Sequence, residues 1–227
     1  MLHCYTDVKA FQEKFAVPMP DVPTLLNDEA YNFRLSFLRE EMQEFIDSHV
    51  NRDFEGCIDA LLDEVYVACG TSLMMGISVD KWNETFKSVV VFDNANQYSL
   101  NFPNQKTPDY PQFLSTEQYN DTVSVLKVNL AFFINFHYAQ NITKCTEMMC
   151  RQVQDCYRIA LGMGIDYFVW QEMFADVQRA NLSKVRATSV GQSKRKSTLD
   201  VIKPPGWIPP DGNRILEFHY PNYKDNL

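Results

Sequence analysis

Hydrophobic residues recur every three to four positions along most of this chain, which is the spacing of an amphipathic α-helix. Glycine is scarce, with 8 in 227 residues, and proline, glycine or asparagine stands at the breaks between the periodic stretches. The pattern predicts helices with the approximate bounds 7–15, 29–50, 54–75, 79–92, 116–139, 143–163 and 167–184. The polar, proline-rich segment 94–114 is predicted to be a loop, and no convincing series of strands is present. We therefore expect an all-α fold.

One motif occurs twice at a constant distance. Met75-Gly76-Ile77 recurs as Met163-Gly164-Ile165, an offset of 88 residues (75 to 163). Four further identities follow in the same register: Trp82 and Trp170, Glu84 and Glu172, Phe86 and Phe174, Val89 and Val177. Convergent amphipathic patterning is one explanation, but the constant register favours a partial duplication or an insertion between two copies. We expect residues 1–227 to form a single domain, with a helical insertion or partial repeat at 78–164.

Composition and charge exclude several classes of protein. The net charge of −8 argues against binding to a nucleic-acid polymer, whose phosphates would be repelled. The most apolar run, Val123 to Tyr138, is too short to span a bilayer, and the N-terminus lacks the plan of a signal peptide. The six cysteines show no zinc-ligand spacing and suit reduced thiols in a core. We expect a cytoplasmic protein without membrane contact.

The helix predicted over 29–50 carries three acidic residues close together. Glu40, Glu41 and Glu44 fall within an arc of about 100°, because successive residues of an α-helix are rotated by roughly that angle. They border the apolar stripe that must face the core. Phe33 and Phe37 lie one or two turns earlier on the acidic face, where an aromatic ring can stack on a base.

The next predicted helix adds a second acidic pair. Asp59 and Asp63 lie one turn apart in a helix that is otherwise nearly all apolar. Packed antiparallel, the two helices bring four or five carboxylates together, which is unfavourable without a cation. Hard oxygen ligands without histidine or thiolate select Mg²⁺ or Mn²⁺. The alternative is a solvated charged face, which is common on helices; the acidic pair in an apolar helix favours the metal site.

These segments resemble the MazG-like, phosphoribosyl-ATP-pyrophosphohydrolase-like superfamily of all-α NTP pyrophosphatases. The resemblance rests on four stretches: Phe33 to Glu44, Asp59 to Thr71, Val177 to Ala187, and Ser193 to Asp211. It covers roughly residues 7–77 and 165–216, and the last stretch is similar to the tail of phage and bacterial members. The fold that it implies is a MazG-like helical bundle, here with an additional helical insertion.

The resemblance implies hydrolysis of the α–β phosphoanhydride of a nucleoside triphosphate, giving a nucleoside monophosphate and pyrophosphate. It also implies the roles of individual residues. Glu41, Glu44 and Asp63 are expected metal ligands with Asp59 as a fourth, and Glu40 is either a ligand or the base that polarises water. The resemblance implies that Asn181 and Lys184 contact the phosphates, and Lys203 is a further substrate-binding candidate. Arg34 is expected to bind substrate too, although from the sequence it can pair either with the acids or with a phosphate. Many members have glutamate at the position of Ala60, so the ligand set departs from the usual one and Asp59 is its expected substitute.

Two questions stay open from the sequence. Without the resemblance, Asn181 and Lys184 read as an ordinary helix C-terminus, where lysine is favoured by the helix dipole. The chain also suits a degenerate nucleotide-binding protein or a helical interaction module, which differs from the enzyme in releasing no pyrophosphate.

The resemblance implies a homo-oligomer, either a dimer or a tetramer, and the alternative is a fused pseudo-dimer. Similarity of the tail to phage proteins suggests control of a nucleotide pool in the cytoplasm of a bacteriophage host.

Overall fold

The computed structural model describes residues 3–96, 108–192 and 200–227. This part of the chain forms eight α-helices: α1 (His3–Lys14), α2 (Asp28–Val50), α3 (Phe54–Met74), α4 (Val79–Asn96), α5 (Thr116–Tyr138), α6 (Ile142–Gly162), α7 (Tyr167–Leu182) and α8 (Gly212–His219). A two-stranded antiparallel ribbon joins β1 (Val185–Arg186) to β2 (Val201–Ile202), and short 3₁₀ helices cover Val190–Gln192 and Tyr223–Asn226. The expected all-α fold is confirmed, and all seven predicted helices are present.

The observed helices differ from the predicted bounds in three places. α1 begins four residues earlier, because Tyr5 belongs to its buried stripe and stacks on Trp82 with ring centroids 4.3 Å apart. α4 extends to Asn96. The sequence did not predict α8, whose eight residues follow a proline-rich segment; Asp211 caps it, and Ile215 and Leu216 anchor it in the core.

Some predictions concern residues beyond the described ranges. The predicted loop 94–114 is described only in part, and the stretch 193–199 in the family-like tail also lies outside. Within the described ranges no helix is both long enough and apolar enough to cross a membrane.

α3 is the central helix of the bundle. Of its 21 residues, 17 are buried, which explains why its sequence is apolar on nearly every side. α2 packs along one side of α3, α6 along another and α1 along a third. All six cysteines are buried as free thiols, as their helical positions suggested. The rigid α2–α3 pair therefore holds both groups of predicted acidic residues.

The helices repeat in the 88-residue register of the duplicated motif. α2 and α5 both have 23 residues and begin at 28 and 116; α3 and α6 both have 21 residues and begin at 54 and 142. α5 packs on α6 as α2 packs on α3, and α3 packs on α6 between the two pairs. The repeat with an 88-residue offset thus includes helices on both sides of residues 78–164. The division into one domain with an insertion or partial repeat stays a prediction.

A buried polar pair joins the two central helices. Gln152 of α6 donates a hydrogen bond from Nε2 to Oε1 of Glu64 in α3, over 2.7 Å. Each of these residues is only 2% exposed. Burial raises the pKa of the Glu64 carboxyl to about 8, while the hydrogen bond from Gln152 opposes that rise. Glu64 therefore depends on Gln152 for the stabilisation that water would otherwise supply.

We predict that Gln152→Ala lowers the free energy of unfolding by about 1–3 kcal/mol, because it leaves the buried Glu64 carboxyl without its donor. Urea unfolding at neutral pH measures this. The paired replacement of Glu64 and Gln152 by leucine should cost less than Gln152→Ala, since it leaves no polar group unpaired. Gln43→Ala on the exposed face of α2 is the control. Equal losses for Gln152→Ala and Gln43→Ala would contradict the prediction.

Candidate active site

A cavity of about 560 Å³ lies between the α2–α3 pair, the end of α7 and the β-ribbon, with α1 contributing to one side. Every residue that the sequence singled out for the site lines this cavity: Arg34, Glu40, Glu41, Glu44, Asp59, Asp63, Asn181, Lys184 and Lys203. The fold brings together residues as far apart in sequence as Arg34 and Lys203. Their individual chemical roles stay predictions.

The acidic wall is built by adjacent faces of α2 and α3. Glu41 is turned towards α3 and is 6% exposed, whereas Glu40 is half-buried and Glu44 is exposed. Asp59 and Asp63 are half-buried one turn apart on α3. The buried stripe of α2 next to the acids, which includes Leu38 and Phe45, fixes this rotation of the helix. The acids thus stand at the edge of the core, as the helical period predicted.

Crowding of the carboxylates changes their acidity. The pKa of Glu41 is raised to about 9, first by burial and then by repulsion from Asp63, Glu44, Glu64 and Glu40. Burial and the neighbouring Asp59 raise the pKa of Asp63 to about 7. Burial also raises the pKa of Asp59. The wall therefore concentrates more negative charge than the bare protein stabilises, a situation that a bound cation relieves.

Two lysines face the acidic wall from the β-ribbon. Antiparallel pairing of Val185 with Ile202 sets Lys184 directly opposite Lys203, one residue beyond the ribbon. Trp207 lies beside them, with the ammonium of Lys203 4.3 Å and that of Lys184 5.8 Å from its ring centroid. The indole Nε1 of Trp207 donates to the carbonyl of Ala180 over 2.8 Å and so ties the tail to α7.

The electrostatic environment of Lys184 links the two walls. Burial lowers its pKa, and attraction by Asp63, Glu41 and Asp200 opposes that effect. In the other direction, Lys203 and Lys184 lower the pKa of Asp59 against the effect of its burial. The helix-terminus explanation for Lys184 is thus incomplete, because its charge lies within the field of the acidic wall.

Asn181 and Arg34 are more constrained than the sequence suggested. Asn181 is 6% exposed and hydrogen-bonds Tyr66, whose hydroxyl donates to Gln178 over 2.7 Å. Arg34 donates to the carbonyl of Val67 over 2.6 Å and to the Thr71 hydroxyl over 3.1 Å, so part of its guanidinium joins α2 to α3. Both side chains nevertheless line the cavity.

The other end of the cavity is largely apolar. Phe33 and Phe37 meet edge to face there with ring centroids 5.0 Å apart, and the Arg34 guanidinium lies 5.4 Å from the Phe37 ring centroid. Phe11, Val17 and Met74 complete this end. Aromatic faces beside an acidic and basic wall suit a ligand with a flat ring at one end and phosphates at the other.

Sequence reasoning missed two buried polar residues in the lining, besides the exposed Gln192. Asp200, which is 5% exposed, stands directly before β2, and Gln12 of α1, which is 2% exposed, donates to the Gly70 carbonyl over 2.9 Å. The sequence pattern indicates Gln12, because it is a polar residue on the apolar stripe of α1. It indicates Asp200 less clearly, through its position three residues before Lys203 in a segment that resembles the family.

The acidic residues share one wall without forming a closed ligand group. Among the residues that the structure describes, no three His, Cys, Asp or Glu side chains meet closely enough to hold a metal ion as they stand. The chemistry of the donors nevertheless fits a hard cation, since the wall consists of carboxylates, and burial together with their mutual repulsion raises the pKa of Glu41 and Asp63. A metal ion there stays a prediction.

The fold and the cavity define an all-α protein with one acidic and one basic cavity wall, and comparison with known proteins adds a family. Residues 8–89 match the family model described as phosphoribosyl-ATP pyrophosphohydrolase, which belongs to the MazG-like all-α NTP pyrophosphatase superfamily. The match confirms the resemblance and supports a pyrophosphohydrolase type of activity, hydrolysis of an acid anhydride. No significant match was found among curated proteins or among solved structures.

The matched segment contains the acidic wall but not the basic one. Glu40 to Asp63 fall inside residues 8–89, whereas Asn181, Lys184 and Lys203 lie beyond it. The lysines therefore join the site through the fold of this chain.

We predict that Glu41→Gln raises the free energy of unfolding of the metal-free protein by about 1 kcal/mol, because it removes a buried acid from a repulsive cluster. Urea unfolding in a chelator at neutral pH measures this. Glu29→Gln is the control: Glu29 lies in the first turn of α2, where its charge is favoured by the helix dipole, so its loss should destabilise slightly. An equal gain in both variants would attribute the effect to net charge and contradict the prediction.

Proposed function

We propose that this chain is a magnesium-dependent nucleoside triphosphate pyrophosphohydrolase that cleaves a (d)NTP to the (d)NMP and pyrophosphate and so contributes to nucleotide-pool control. The observation that carries the proposal is the cavity itself. Five carboxylates of α2 and α3 face Lys184 and Lys203 across a space of about 560 Å³, within the range of small-molecule sites. The family match at residues 8–89 supports the same class of chemistry.

Substrate binding divides between the two ends of the cavity. Lys184 and Lys203 supply positive charge for the phosphate chain, and the amide of Asn181 supplies a hydrogen bond. Phe33 and Phe37 offer an aromatic surface for the base, which is tolerant of base identity because every base has a π-face.

The acidic wall serves cation binding. Glu41, Glu44, Asp59 and Asp63 are the residues that would hold Mg²⁺, with Mn²⁺ as an alternative. When bound, the ion supplies charge neutralisation of the triphosphate and a lowered pKa for water. Burial and then repulsion from the neighbouring acids raise the pKa of Glu41, and a bound cation would offset both effects.

Side chains of this protein accept the proton and stabilise the leaving group. A water oxygen attacks the α-phosphorus, and the bond from that phosphorus to the bridging oxygen breaks, so pyrophosphate leaves with the electron pair. Glu40, half-buried beside Glu41, accepts the proton that the water loses. Lys184 and Lys203 offset the charge that develops on the departing pyrophosphate.

Two alternatives follow from specific observations. The family description names phosphoribosyl-ATP, which carries the same triphosphate as a simple nucleotide, so it is a candidate substrate. Alanine at position 60, where the family resemblance implies glutamate, keeps open a degenerate protein that binds nucleotide without turnover.

We predict pyrophosphate release from at least one member of a panel of NTPs, dNTPs and phosphoribosyl-ATP in the presence of Mg²⁺. Glu41→Gln and Asp63→Asn should each lower kcat/KM at least about 100-fold, because each removes a charge on which transition-state stabilisation depends. Glu147→Gln is the control, since Glu147 on α6 is ion-paired with Lys144 over 2.6 Å outside the cavity.

The same assay separates the alternatives. Turnover of phosphoribosyl-ATP alone would replace the proposed substrate but keep the reaction. Nucleotide binding with no pyrophosphate from any substrate, and Glu41→Gln indistinguishable from the natural chain, would overturn the proposal in favour of a non-catalytic binding protein.

A further inference from the structure

A unit of three helices occurs twice in this chain. The helix beginnings repeat at 88 residues for three successive helices: 28 and 116, 54 and 142, 79 and 167. We call residues 20–96 the first copy and residues 108–184 the second copy. The match extends far beyond the seven identities that are visible in the sequence.

Helix caps and turns repeat in the same register. Asn27 caps α2 and Ser115 caps α5, each accepting from the amide three residues on. Asp53 and Asn141 do the same for α3 and α6. The turns before those helices use left-handed residues at matched positions, Arg52 with φ 59° and Gln140 with φ 55°. Such agreement at backbone level points to one folding unit used twice.

The two glycines of the repeated motif meet the same constraint. Gly76 has φ 70° and Gly164 has φ 87°. A Cβ at Gly76 would collide with the carbonyl of Val22, and one at Gly164 with the carbonyl of Tyr110, 88 residues later (22 to 110). The preserved Met-Gly-Ile motif therefore marks a turn that must fit a backbone segment in each copy.

Contacts between the copies are reciprocal. Tyr31 of the first copy stacks on His137 of the second with ring centroids 4.1 Å apart, and Tyr119 of the second stacks on His49 of the first at 4.2 Å. These are the same pair of positions exchanged (31 to 119, 49 to 137). Contact of residue i with j′ and of j with i′ is the signature of an isologous, two-fold interface.

The surroundings of the two histidines repeat the exchange in part. Nε2 of His137 donates to the carbonyl of Leu26 over 3.2 Å, and the backbone of Leu114, 88 residues after Leu26, acts on His49, although Nε2 of His49 makes no hydrogen bond. Glu64 and Gln152 are themselves equivalent positions (64 to 152) and contact each other directly. A residue can touch its own equivalent only close to the local two-fold axis, so that axis passes between α3 and α6.

The two copies differ at the acidic wall. The second-copy counterparts of Glu40, Glu41, Glu44, Asp59 and Asp63 are, in that order, Val128, Asn129, Phe132, Glu147 and Arg151. One acid of five remains, and it is ion-paired with Lys144. Asn129 is engaged with Asp155 over 2.8 Å. The second copy therefore lacks the carboxylates that a cation site needs.

The cavity beside the acidic wall of the first copy nevertheless requires residues of the second copy. Asn181 and Lys184 stand at the end of α7, which belongs to the second copy, and both line the cavity beside Asp59 and Asp63. α7 packs against α3 of the first copy and against α1. The cavity is thus formed between the copies, although only one of them supplies acids.

We propose that the second copy is a built-in, catalytically silent subunit, so that the chain is a covalently fused two-fold pair with a single active centre. This inference rests on the proposed function for the identity of the ligand. The chain then acts as a monomer and binds one nucleotide. Fusion allows this asymmetry, because covalently linked copies can diverge independently whereas the subunits of a homodimer carry identical residues.

The first test measures mass and stoichiometry on the full chain. Light scattering should give the monomer mass of 26.4 kDa under conditions where specific activity does not change on dilution. Calorimetric titration with Mg²⁺ and a non-hydrolysable α,β-imido dNTP should give one site per chain. Two sites per chain, or activity confined to a dimer and lost on dilution, would overturn the inference.

The second test compares matched variants at equivalent positions. Glu44→Ala and Asp63→Ala should lower pyrophosphate release at least tenfold, whereas their counterparts Phe132→Ala and Arg151→Ala should leave kcat/KM within twofold. Phe132 is 47% exposed, so its replacement is a safe second variant if Arg151→Ala fails to fold. Equal losses in both copies would overturn the claim that the second copy is silent.

The outcomes also distinguish this inference from the proposed function. If the chain is a monomer but no nucleotide binds or turns over, the proposed function fails and the single-nucleotide claim fails with it. If nucleotide is hydrolysed but two sites are counted or a dimer is required, the proposed function stands and the silent subunit does not.

Discussion

The structure depends on the burial of α3. A helix with 17 of 21 residues buried must be covered on nearly every side, and α1, α2 and α6 provide that cover. The one face that they leave open carries Asp59 and Asp63, and it becomes the floor of the cavity. Hydrophobic burial therefore decides both where the core lies and where Asp59 and Asp63 stand, because a carboxylate on a core helix needs either an opening or, like Glu64, a buried hydrogen-bond donor.

The crowded acids of α2 and α3 lower the stability of the fold. Burial first, and then repulsion among the acids of α2 and α3, raises the pKa of Glu41 to about 9 and that of Asp63 to about 7. Lys184 and Lys203 relieve part of the repulsion from the opposite wall, and a divalent cation would relieve more. The rigid packing of α2 on α3 holds the charges in place despite the cost. Such crowding of buried acids favours the proposed binding of a cation, because a cation offsets both their burial and their repulsion.

The local two-fold arrangement explains how so small a chain encloses such a site. A single α2–α3 pair leaves one face of α3 uncovered, and in this chain α6 covers it through the contact that contains Glu64 and Gln152. The second copy also delivers Asn181 and Lys184 to the cavity edge. It thus supplies core packing and two residues of the cavity lining, while the first copy supplies the carboxylates of the acidic wall. Because the first copy supplies the acids of the cavity, the second copy does not need acids at the equivalent positions.

The sequence by itself determined the helices, because apolar spacing, capping residues and breaks are local signals that α2 to α7 all carry. It also determined which acids share a helix face, since Glu40, Glu41 and Glu44 are fixed by the helical period. Only the tertiary structure decided what faces them. Lys203 reaches the site through a two-residue ribbon too short to be read from a pattern, and Asp200 and Gln12 enter through packing. The sequence showed the relation of the copies only as seven identities at one offset, because backbone caps and reciprocal contacts such as Tyr31 with His137 repeat in space where the side chains have diverged.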